Sequence, residues 1–467
     1  MQNKYVGNND SADVVEKTFQ KKILFACVPA DGHFNPLTGI AKHLQSLGYD
    51  VRWYSSMTYA PKLEKLGIPF YPFKKALEVT GETVDTVFPE REAISNTIKK
   101  LNFDLQHFFI LRSTEYFADI QEIHESFPFD MMVADCLFTA IPLVKEKMNI
   151  PVISVGVLPL FETSRDLAPS GLAITPAHNF AGRLKQRWLR FMGEKILFKS
   201  SNNVMKTVMN AHGIDMGGTF LFDFMVKKAS LLLQSGTPGF EYQRSDLGRN
   251  IRFIGPLLPY HSKTEKKDPW YDSRVISYQK VVLVTQGTVE KNPEKIIVPV
   301  LEAYKDTDTL VVATTGGSQT QELKARYPQN NIIIEDFIPF GDVMPYANVY
   351  VTNGGYGGVM LGIENRLPLV VAGVHEGKNE INARIGYFKL GVNLKTETPS
   401  PSAIKEAVDE VLRNEVYKQN VEDLAAEFKE YQPYGLFAKY VNELLFPSIA
   451  NMRPVYRKPP SKRELVS

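Results

Sequence analysis

A histidine that follows a buried strand is the residue of this chain best suited to acid–base chemistry. His33 lies in segment 29–36, directly after the apolar, β-branched and aromatic run 22–28. Ligands of parallel sheets bind at the carboxyl ends of the strands, where this segment falls. A neutral imidazole can take a proton from a hydroxyl group at physiological pH. His33 is therefore a catalytic candidate, and the alternative is a histidine that caps the helix or hydrogen-bonds the loop.

A glycine-rich turn in the second half of the chain has the composition of an anion-binding site. Residues 353–358 read Asn-Gly-Gly-Tyr-Gly-Gly, between the apolar run 349–352 and a helix-like run to Glu364. Pro368 and a second apolar run, 369–372, complete a strand–turn–helix–strand unit. Glycines let the backbone approach a ligand, and the helix N-terminus offers unpaired N–H groups. The pattern favours a phosphate or diphosphate site over a turn that serves packing alone.

Length and composition place the chain among ordinary globular proteins. Its 467 residues are 44% apolar and 23% charged, which is enough for two or three domains with ample core. The net charge of +2 gives no sign of a nucleic-acid surface. Cys27 and Cys136 lie in apolar runs and are interpreted as buried free thiols of a reducing compartment. The first twenty residues lack the apolar core of a signal peptide, so we expect a cytoplasmic protein without stable membrane insertion.

Two separate strand–helix–strand beginnings, near residues 22 and 281, predict an α/β protein with two Rossmann-like halves. A polar, lysine-rich stretch after residue 260 is the expected domain boundary. The predicted organisation is a flexible leader at 1–20, an N-terminal domain at 21–260, a linker at 261–272, a C-terminal domain at 273–432, a helix at 433–449 and a tail at 450–467.

Aromatic residues of the first half suggest where an apolar ligand would bind. A long amphipathic helix is predicted over 101–127, with the aromatic residues Phe103, Phe108, Phe109, Tyr116 and Phe117. Most of these rings belong to the core, and some line an apolar pocket. The stretch 159–176 is rich in proline, glycine and serine and is interpreted as a loop beside that pocket.

The glycine-rich segment resembles the donor-site motif of the nucleotide-sugar glycosyltransferases of GT-B architecture, which use UDP- and dTDP-sugars on small lipophilic acceptors. That motif runs His-Gly-Gly-x-Gly-Thr, a helix, Gly-x-Pro, then Asp-Gln and Asn-Ala. Here the matching pairs are Leu367-Pro368, Lys378-Asn379 and Asn382-Ala383. The segment is most similar to a bacterial natural-product branch. The resemblance implies two doubly wound domains facing across a cleft, with the last helix crossing back to the N-terminal domain.

The resemblance also implies catalytic roles. The position of His33 holds the general base in this family, and Asp135, at the end of the strand 129–135, takes the place of the aspartate that orients it. An N-cap for a helix starting near Phe138 is the alternative role for Asp135. Asp130 is a competing acid, but it precedes the strand and lies at the wrong end of the sheet.

The resemblance also implies a donor site, which is formed by residues that follow strands of the second half and by the glycine-rich turn. Thr288 is expected at the phosphates or the sugar, Phe337 stacks on the nucleobase, and the backbone at Ile338 reads its edge. No metal site is expected, because Asp306-Thr307-Asp308 sits at the amino end of a strand and is better interpreted as a solvated turn. The predicted donor-binding residues are Gly32, Thr288, Phe337, Ile338, Asn353, Gly355, Tyr356, Gly357, Gly358, Lys378 and Asn379.

Three departures from the family motif bear on the sugar and the nucleotide. Asn353 replaces the motif histidine and carries no charge at any pH. Lys378-Asn379 replaces Asp-Gln, and a lysine donates hydrogen bonds only, so the sugar preference should differ. Leu361 stands where the family often has a glutamate that holds the ribose hydroxyls. These changes favour a dTDP-sugar such as dTDP-rhamnose over UDP-glucose.

The function expected from the resemblance is an inverting, metal-independent hexosyl transfer to a small phenolic or lipophilic acceptor such as a flavonoid. The hexose would be rhamnose from dTDP-rhamnose or glucose from UDP-glucose. Two alternatives stay open, a nucleotide-sugar epimerase or hydrolase of the same fold and a non-catalytic nucleotide-sugar-binding partner. The expected partners are the donor and the acceptor alone, with no cofactor beyond the donor, and the chain is expected as a monomer or weak homodimer.

Overall fold

The computed structural model describes residues 21–80, 83–258, 269–287, 290–375 and 377–447, with the backbone alone at residue 97. These residues form two parallel sheets, one of seven strands and one of six. The predicted leader, Thr288, most of the predicted linker and the predicted tail lie outside the described residues.

The central strands of the N-terminal sheet are buried on both faces, as their near-continuous apolar runs require in a parallel sheet covered by helices. Its strand order is β3-β2-β1-β4-β5-β6-β7. In chain order the elements are β1 Lys22–Ala26, α1 Asp31–Ser46, β2 Asp50–Ser55, α2 Ala60–Leu66, β3 Phe70–Pro72, α3 Val84–Val87, α4 Thr97–Asp104, α5 Arg112–Ser126, β4 Met131–Asp135, α6 Ile141–Lys147, β5 Val152–Gly156, α7 Phe180–Met192, α8 Lys199–Ala211, α9 Leu221–Lys228, β6 Leu231–Ser235 and β7 Ile251–Gly255.

The C-terminal sheet repeats this winding with the order β10-β9-β8-β11-β12-β13. Every strand pair in both sheets is parallel among the described strands, so all carboxyl ends of one sheet lie at one edge. Its elements are α10 Arg274–Ser277, β8 Lys280–Thr285, α11 Ile297–Tyr304, β9 Thr309–Thr314, α12 Thr320–Arg326, β10 Ile332–Glu335, α13 Phe340–Val343, β11 Val349–Thr352, α14 Tyr356–Glu364, β12 Leu369–Val371, α15 Lys378–Tyr387, β13 Gly391–Asn393, α16 Pro401–Arg413, α17 Glu415–Lys429 and α18 Pro433–Leu445.

The first helix begins earlier than the sequence predicted. The periodicity of the sequence predicts a helix from Leu37, after a loop at 29–36, but α1 starts at Asp31 and contains Pro36. A proline lacks the N–H that would bond the carbonyl four residues back, and this cost is smallest close to a helix N-terminus. His33 therefore sits in the first turn of a helix, on a rigid element.

The predicted helix over 101–127 consists of three consecutive pieces. A six-residue π-helical segment, Leu105–Ile110, separates α4 from α5. A second π-helical segment, Gly193–Leu197, follows α7. Such wide turns occur mostly as single insertions and are frequent beside functional sites.

The last helix crosses back to the N-terminal half, as expected. Phe437, Ala438 and Val441 of α18 are buried in the core formed around β1 and α1. The Tyr49 hydroxyl donates to Asn442 Oδ1 at 2.8 Å across the same contact. None of the helices in the described ranges is long and apolar enough to cross a bilayer.

Candidate active site between the two sheets

Each sheet contains one point at which the chain changes its winding direction. In the N-terminal sheet this point lies between β1 and β4, and in the C-terminal sheet it lies between β8 and β11. The connections that follow these two neighbouring strands run in opposite directions, and the crevice at the carboxyl ends of the strands is where open α/β sheets bind ligands. His33 comes after β1, Asp135 is the last residue of β4, and the glycine-rich turn follows β11. The fold thus brings the predicted site residues to the two crevices.

The imidazole of His33 and the carboxylate of Asp135 are in direct contact. Nδ1 of His33 lies 2.8 Å from Oδ1 of Asp135, and the side chains are 16% and 0% exposed. The carboxylate also accepts the N–H of Leu137 on Oδ1 at 2.9 Å and that of Val28 on Oδ2 at 2.8 Å. Asp135 therefore hydrogen-bonds the turn after β4 as well as His33. It is not the N-cap of the next helix, because α6 begins only at Ile141.

This contact determines what the imidazole can do. A carboxylate only accepts hydrogen bonds, so Nδ1 of His33 carries the hydrogen, and in the neutral form of the ring Nε2 holds the lone pair. The neighbouring Gly32 faces open space, because a Cβ built there would meet no atom within 4 Å. A hydroxyl group that reaches Nε2 from this opening could transfer its proton there.

The two cysteines beside this pair are inert. Cys27 and Cys136 are both buried and free. Burial, reinforced by the nearby charge of Asp135, raises the pKa of the Cys27 thiol to about 12. The same two causes raise the pKa of Cys136 far above its usual value. Both side chains remain neutral thiols at physiological pH and offer no nucleophile.

A helical segment that carries an aromatic cluster is bonded to the turn after Asp135. Thr139 Oγ1 donates to the carbonyl of Phe109 at 2.6 Å, which attaches the first π-helical segment to this turn. The ring centroids of Phe103 and His107 are 4.1 Å apart, and Phe88 packs edge-on against them. Several of the predicted rings of 101–127 are core, since Tyr116 and Phe117 are buried. Phe88, Phe103, His107 and Phe108 remain partly exposed and form what we call the aromatic wall.

The glycine-rich turn is held by the side chain of Asn353. Its Oδ1 accepts the N–H of Gly355 at 3.2 Å, and its Nδ2 donates to the carbonyl of Gln286 at the end of β8. Asn353 is 6% exposed, so this amide braces the crevice between β8 and β11. Gly354 has a φ of 86°, and a Cβ there would collide with the buried amide of Asn382.

The N-terminus of α14 is open. Gly355 is its N-cap and supplies no side-chain cap. The N–H groups of the first turn, Tyr356, Gly357 and Gly358, have no intrahelical acceptor, as at any helix start. A Cβ at Gly357 would meet no atom within 4 Å, so there is open space beside this first turn. Together with the helix dipole the N–H groups form a site suited to a diphosphate.

The side chain of Tyr356 points away from this space. Its hydroxyl donates to the carbonyl of Ser235 at 2.7 Å and lies 3.4 Å from Gln234 Nε2, at the end of β6. Burial raises the pKa of Tyr356 well above its usual value, so the hydroxyl stays protonated. Only the backbone of Tyr356 is available for the donor-binding role predicted for it. The ring instead joins the two halves of the chain.

The two residues that are predicted to contact the nucleobase, Phe337 and Ile338, differ in their exposure. The ring of Phe337, after β10, is 73% exposed, whereas Ile338 is 5% exposed and belongs to the core below it. An exposed aromatic ring at the carboxyl edge of the sheet is available for stacking.

The Lys378-Asn379 pair begins α15, but its two side chains have different surroundings. Burial raises the pKa of Glu397, yet hydrogen bonds from Val374 and His375 and the charges of His375 and Lys378 bring its pKa below the usual value. Lys378 is thus close to acidic groups. Asn379 Nδ2 donates to the carbonyl of Gly171 at 2.8 Å, so this amide binds the loop of the N-terminal half.

Sequence reasoning missed a buried network next to this pair. Glu380 accepts the N–H groups of Gly171 and Ala173 at 2.8 and 2.7 Å. Arg384, 2% exposed, binds Glu380 at 3.0 Å and Glu241 of the N-terminal half at 2.9 Å. The spacing of Glu380 and Arg384 is that of a helical ion pair and could have been noticed. Glu241 is 143 positions from Arg384, and no local pattern connects them.

Neither a metal cluster nor an acidic motif with metal-binding geometry occurs in the part of the chain that the structure describes. The Asp306-Thr307-Asp308 motif forms an exposed turn between α11 and β9, at the amino edge of the sheet as predicted.

Two doubly wound parallel sheets, each with a crevice at the carboxyl ends of its strands, are the architecture of the GT-B class. Residues 119–435 match the family model described as UDP-glucoronosyl and UDP-glucosyl transferase. The match covers more than half of the chain, and the chain therefore belongs to this family of nucleotide-sugar-dependent glycosyltransferases.

Individual proteins agree with this assignment. The chain is 30% identical over 407 residues to 4'-demethylrebeccamycin synthase of Lentzea aerocolonigenes, covering 87% of this chain and 95% of that protein. It is 31% identical over 432 residues to UDP-glucosyltransferase 1 of Beauveria bassiana (strain ARSEF 2860), covering 87% and 91%. The crystal structure of the glycotransferase of kitacinnamycin superposes with a TM-score of 0.70 at 17% identity, over 91% of this chain and 99% of that one. The predicted GT-B fold is confirmed.

Proposed function

We propose that this glycosyltransferase is inverting and metal-independent, and that it moves a hexose to a hydroxyl of a small phenolic or lipophilic acceptor. The observation that carries the proposal is the 2.8 Å contact of His33 with Asp135 at one crevice, together with the open start of α14 at the other. The first supplies a base and the second a place for the leaving group.

The proposed reaction is a single displacement. The acceptor hydroxyl gives its proton to Nε2 of His33, and its oxygen forms a bond to the anomeric carbon of the donor. The bond from that carbon to the diphosphate oxygen breaks, and the nucleoside diphosphate leaves with the electron pair. Attack opposite to the leaving group inverts the configuration. The carboxylate of Asp135 stabilises the imidazolium, and the N–H groups of Tyr356, Gly357 and Gly358 stabilise the leaving charge.

Two donors are supported by different observations. Leu361, where the family often has a ribose-binding glutamate, packs against the C-terminal core and offers no acceptor for hydroxyls. That supports a dTDP-sugar such as dTDP-rhamnose. The Beauveria relative is described as a UDP-glucosyltransferase, which supports UDP-glucose. Thermal unfolding with UDP and dTDP in parallel separates them, since a ligand at a hundred times its Kd stabilises the fold by about 2.7 kcal/mol.

The proposed acceptor site is the aromatic wall. Its rings are partly exposed, and its π-helical segment is bonded to the turn that follows Asp135. Planar phenols stack on such rings at distances of about 4.5–7 Å between centroids. The buried free thiols support a cytoplasmic location.

The test is a comparison of two histidine variants of α1. We expect His33→Ala to lose turnover, by about 10²–10⁴-fold, because the base is gone. UDP or dTDP binding should persist, since the donor crevice is unchanged. The matched control is His43→Ala on the last turn of the same helix, which contacts Tyr434 and should keep full turnover.

Turnover is measured as nucleoside diphosphate released from UDP-glucose or dTDP-rhamnose in the presence of a panel of phenols. Wild-type turnover in His33→Ala would refute the proposed role of His33 as the base. Donor cleavage that needs no acceptor and survives His33→Ala would favour a hydrolase or epimerase. Nucleotide binding without any turnover in the wild-type chain would favour a non-catalytic binding partner.

A further inference from the structure

Helix α7 is amphipathic, but its apolar face points to solvent. Four large apolar side chains of this helix are strongly exposed, whereas Gln186 on the opposite side is 3% exposed. Helices of globular proteins normally bury the apolar face and expose the polar one. The exposed side chains are Phe180 at 77%, Leu184 at 56%, Trp188 at 57% and Phe191 at 58%.

The spacing of these side chains makes one continuous surface. Steps of four, four and three residues keep Phe180, Leu184, Trp188 and Phe191 on one side of an α-helix. The inner side is fixed by polar contacts, since Gln186 Nε2 donates to the carbonyl of Thr175 at 2.9 Å. The helix therefore cannot simply rotate to bury its rings. We call this surface the apolar stripe of α7.

The stripe is bordered by positive charge. Segment 180–199 contains six basic residues and one acidic residue, whereas the whole chain has a net charge of only +2. The acidic residue, Glu194, is partly buried, and burial raises its pKa. Arg190 turns inward to the carbonyl of Leu167. The exposed basic residues are Arg183, Lys185, Arg187, Lys195 and Lys199.

We propose that the apolar stripe of α7 and its basic border form a docking surface for the anionic surface of a lipid bilayer. A helix with aromatic and leucine side chains on one face and Lys or Arg beside them lies in the plane of a membrane interface. The rings enter the headgroup region, and the basic side chains attract anionic lipids.

Two other occupants fit the stripe less well. A second copy of the chain in a two-fold contact would place this positive surface against itself, which is unfavourable. The sequence after residue 447 is rich in lysine and arginine, and its charge has the same sign. An anionic lipid surface satisfies both the apolar stripe and the charge.

The position of the surface connects it with α15 of the C-terminal half. The loop between β5 and α7 contacts α7 through Thr175 and contacts α15 through Gly171. A lipophilic acceptor dissolved in a bilayer would thus approach beside this loop. The binding itself does not depend on the proposed glycosyl transfer, and its test uses no turnover.

The experiment is binding of the full chain to vesicles of phosphatidylcholine, with and without phosphatidylglycerol. Co-sedimentation gives the partition constant, and the emission of Trp188 reports insertion. Of the three tryptophans, Trp53 is fully buried and Trp270 is partly buried, so Trp188 dominates a blue shift. We expect binding to the anionic vesicles, a blue shift, and weakening by salt.

Two double variants separate the apolar and the charged parts. Trp188→Ser with Phe191→Ser should weaken binding by about a hundredfold, because two rings no longer leave water. Arg183→Gln with Arg187→Gln should weaken it by about 30-fold, close to fivefold for each charge. Ile276→Ser is the matched control, since Ile276 is 66% exposed but lies in the C-terminal half.

Several results would overturn the proposal. The proposal is wrong if the chain does not bind anionic vesicles, if it binds both vesicle compositions equally, or if both double variants still bind like the wild-type chain. A lipid-free dimer that dissociates in the Trp188→Ser, Phe191→Ser variant would make the stripe a contact between copies. If that variant fails to fold, the arginine variant, altered only at exposed side chains, still decides the outcome.

Discussion

The substitution Asp135→Asn tests how the buried carboxylate supports the base. Oδ1 of Asp135 accepts two hydrogen bonds, from His33 and Leu137, and Oδ2 accepts one from Val28. An amide has one oxygen, which should take the position with two donors. Its NH₂ group then faces the N–H of Val28, so two hydrogen-bond donors meet without an acceptor. Leaving one buried donor unpaired costs about 1–3 kcal/mol of the free energy of unfolding.

The effect on turnover follows from charge rather than from geometry. The amide oxygen still holds the hydrogen of His33 on Nδ1, so Nε2 remains a base. The neutral amide no longer stabilises the imidazolium that forms during proton transfer. A positioned general base contributes about 10²–10⁴-fold, and we expect Asp135→Asn to lose at least about 10²-fold in kcat.

The assay measures nucleoside diphosphate release at saturating donor, with thermal unfolding as the measure of folding. Asp130→Asn is the matched control at the other end of β4. Asp130 binds Lys21 Nζ at 2.6 Å and the N–H of Lys22 at 2.8 Å, far from the crevice by topology. A folded Asp135→Asn protein with wild-type kcat would refute the reasoning, and so would an equal loss of kcat in Asp130→Asn.

Three further substitutions probe the donor side. Phe337→Ala should weaken nucleotide binding by about 10–100-fold without loss of stability, because a stacked ring contributes about 1–3 kcal/mol and is exposed; calorimetric titration with UDP and dTDP measures it. Arg384→Met should lower the free energy of unfolding by about 3–5 kcal/mol, because it leaves two carboxylates without their buried cation; urea unfolding measures it. Gly354→Ala should impair folding and nucleotide binding together, since the positive φ is strained and the Cβ meets Asn382.

Matched controls make each result interpretable. Phe180→Ala removes an even more exposed ring outside the donor side and should leave nucleotide binding unchanged. Arg413→Met removes a guanidinium that is 77% exposed and should cost less than about 1 kcal/mol. Gly377→Ala has a similar φ of 77° but open space around its Cβ, so it should be milder than Gly354→Ala. An equal effect in any such pair would contradict the corresponding argument.

The sequence predicted the two Rossmann-like sheets and the sheet edge of His33 and Asp135 from local patterns, while the pairing of these two residues was implied by the family resemblance. Buried strands are apolar runs, and the position of a residue after a strand decides at which sheet edge it lies. That rule separated Asp135 from Asp130, and the structure places them at opposite ends of β4. The start of α1 is not visible in the sequence, because a proline such as Pro36 is as typical of a loop end as of the first turns of a helix.

Side-chain directions on the donor side could not be predicted in this way. The motif gave Tyr356 and Asn379 as donor residues, yet both side chains bind the N-terminal half. Such contacts join positions more than 100 residues apart, and they depend on how the two sheets meet. The same holds for Glu241 and Arg384, whose pairing has no signature in either local segment.

The crossing of α18 has a consequence for how the molecule is made. Phe437, Ala438 and Val441 complete the core around β1, yet they are translated more than 400 residues after it. While the ribosome is still producing the second sheet, the nascent first half lacks these side chains, and the apolar groove between α1 and β7 stays open to solvent. A chain released before residue 433 would carry both crevices but an unsealed first half, and such exposed apolar surface attracts chaperones and other unfinished chains.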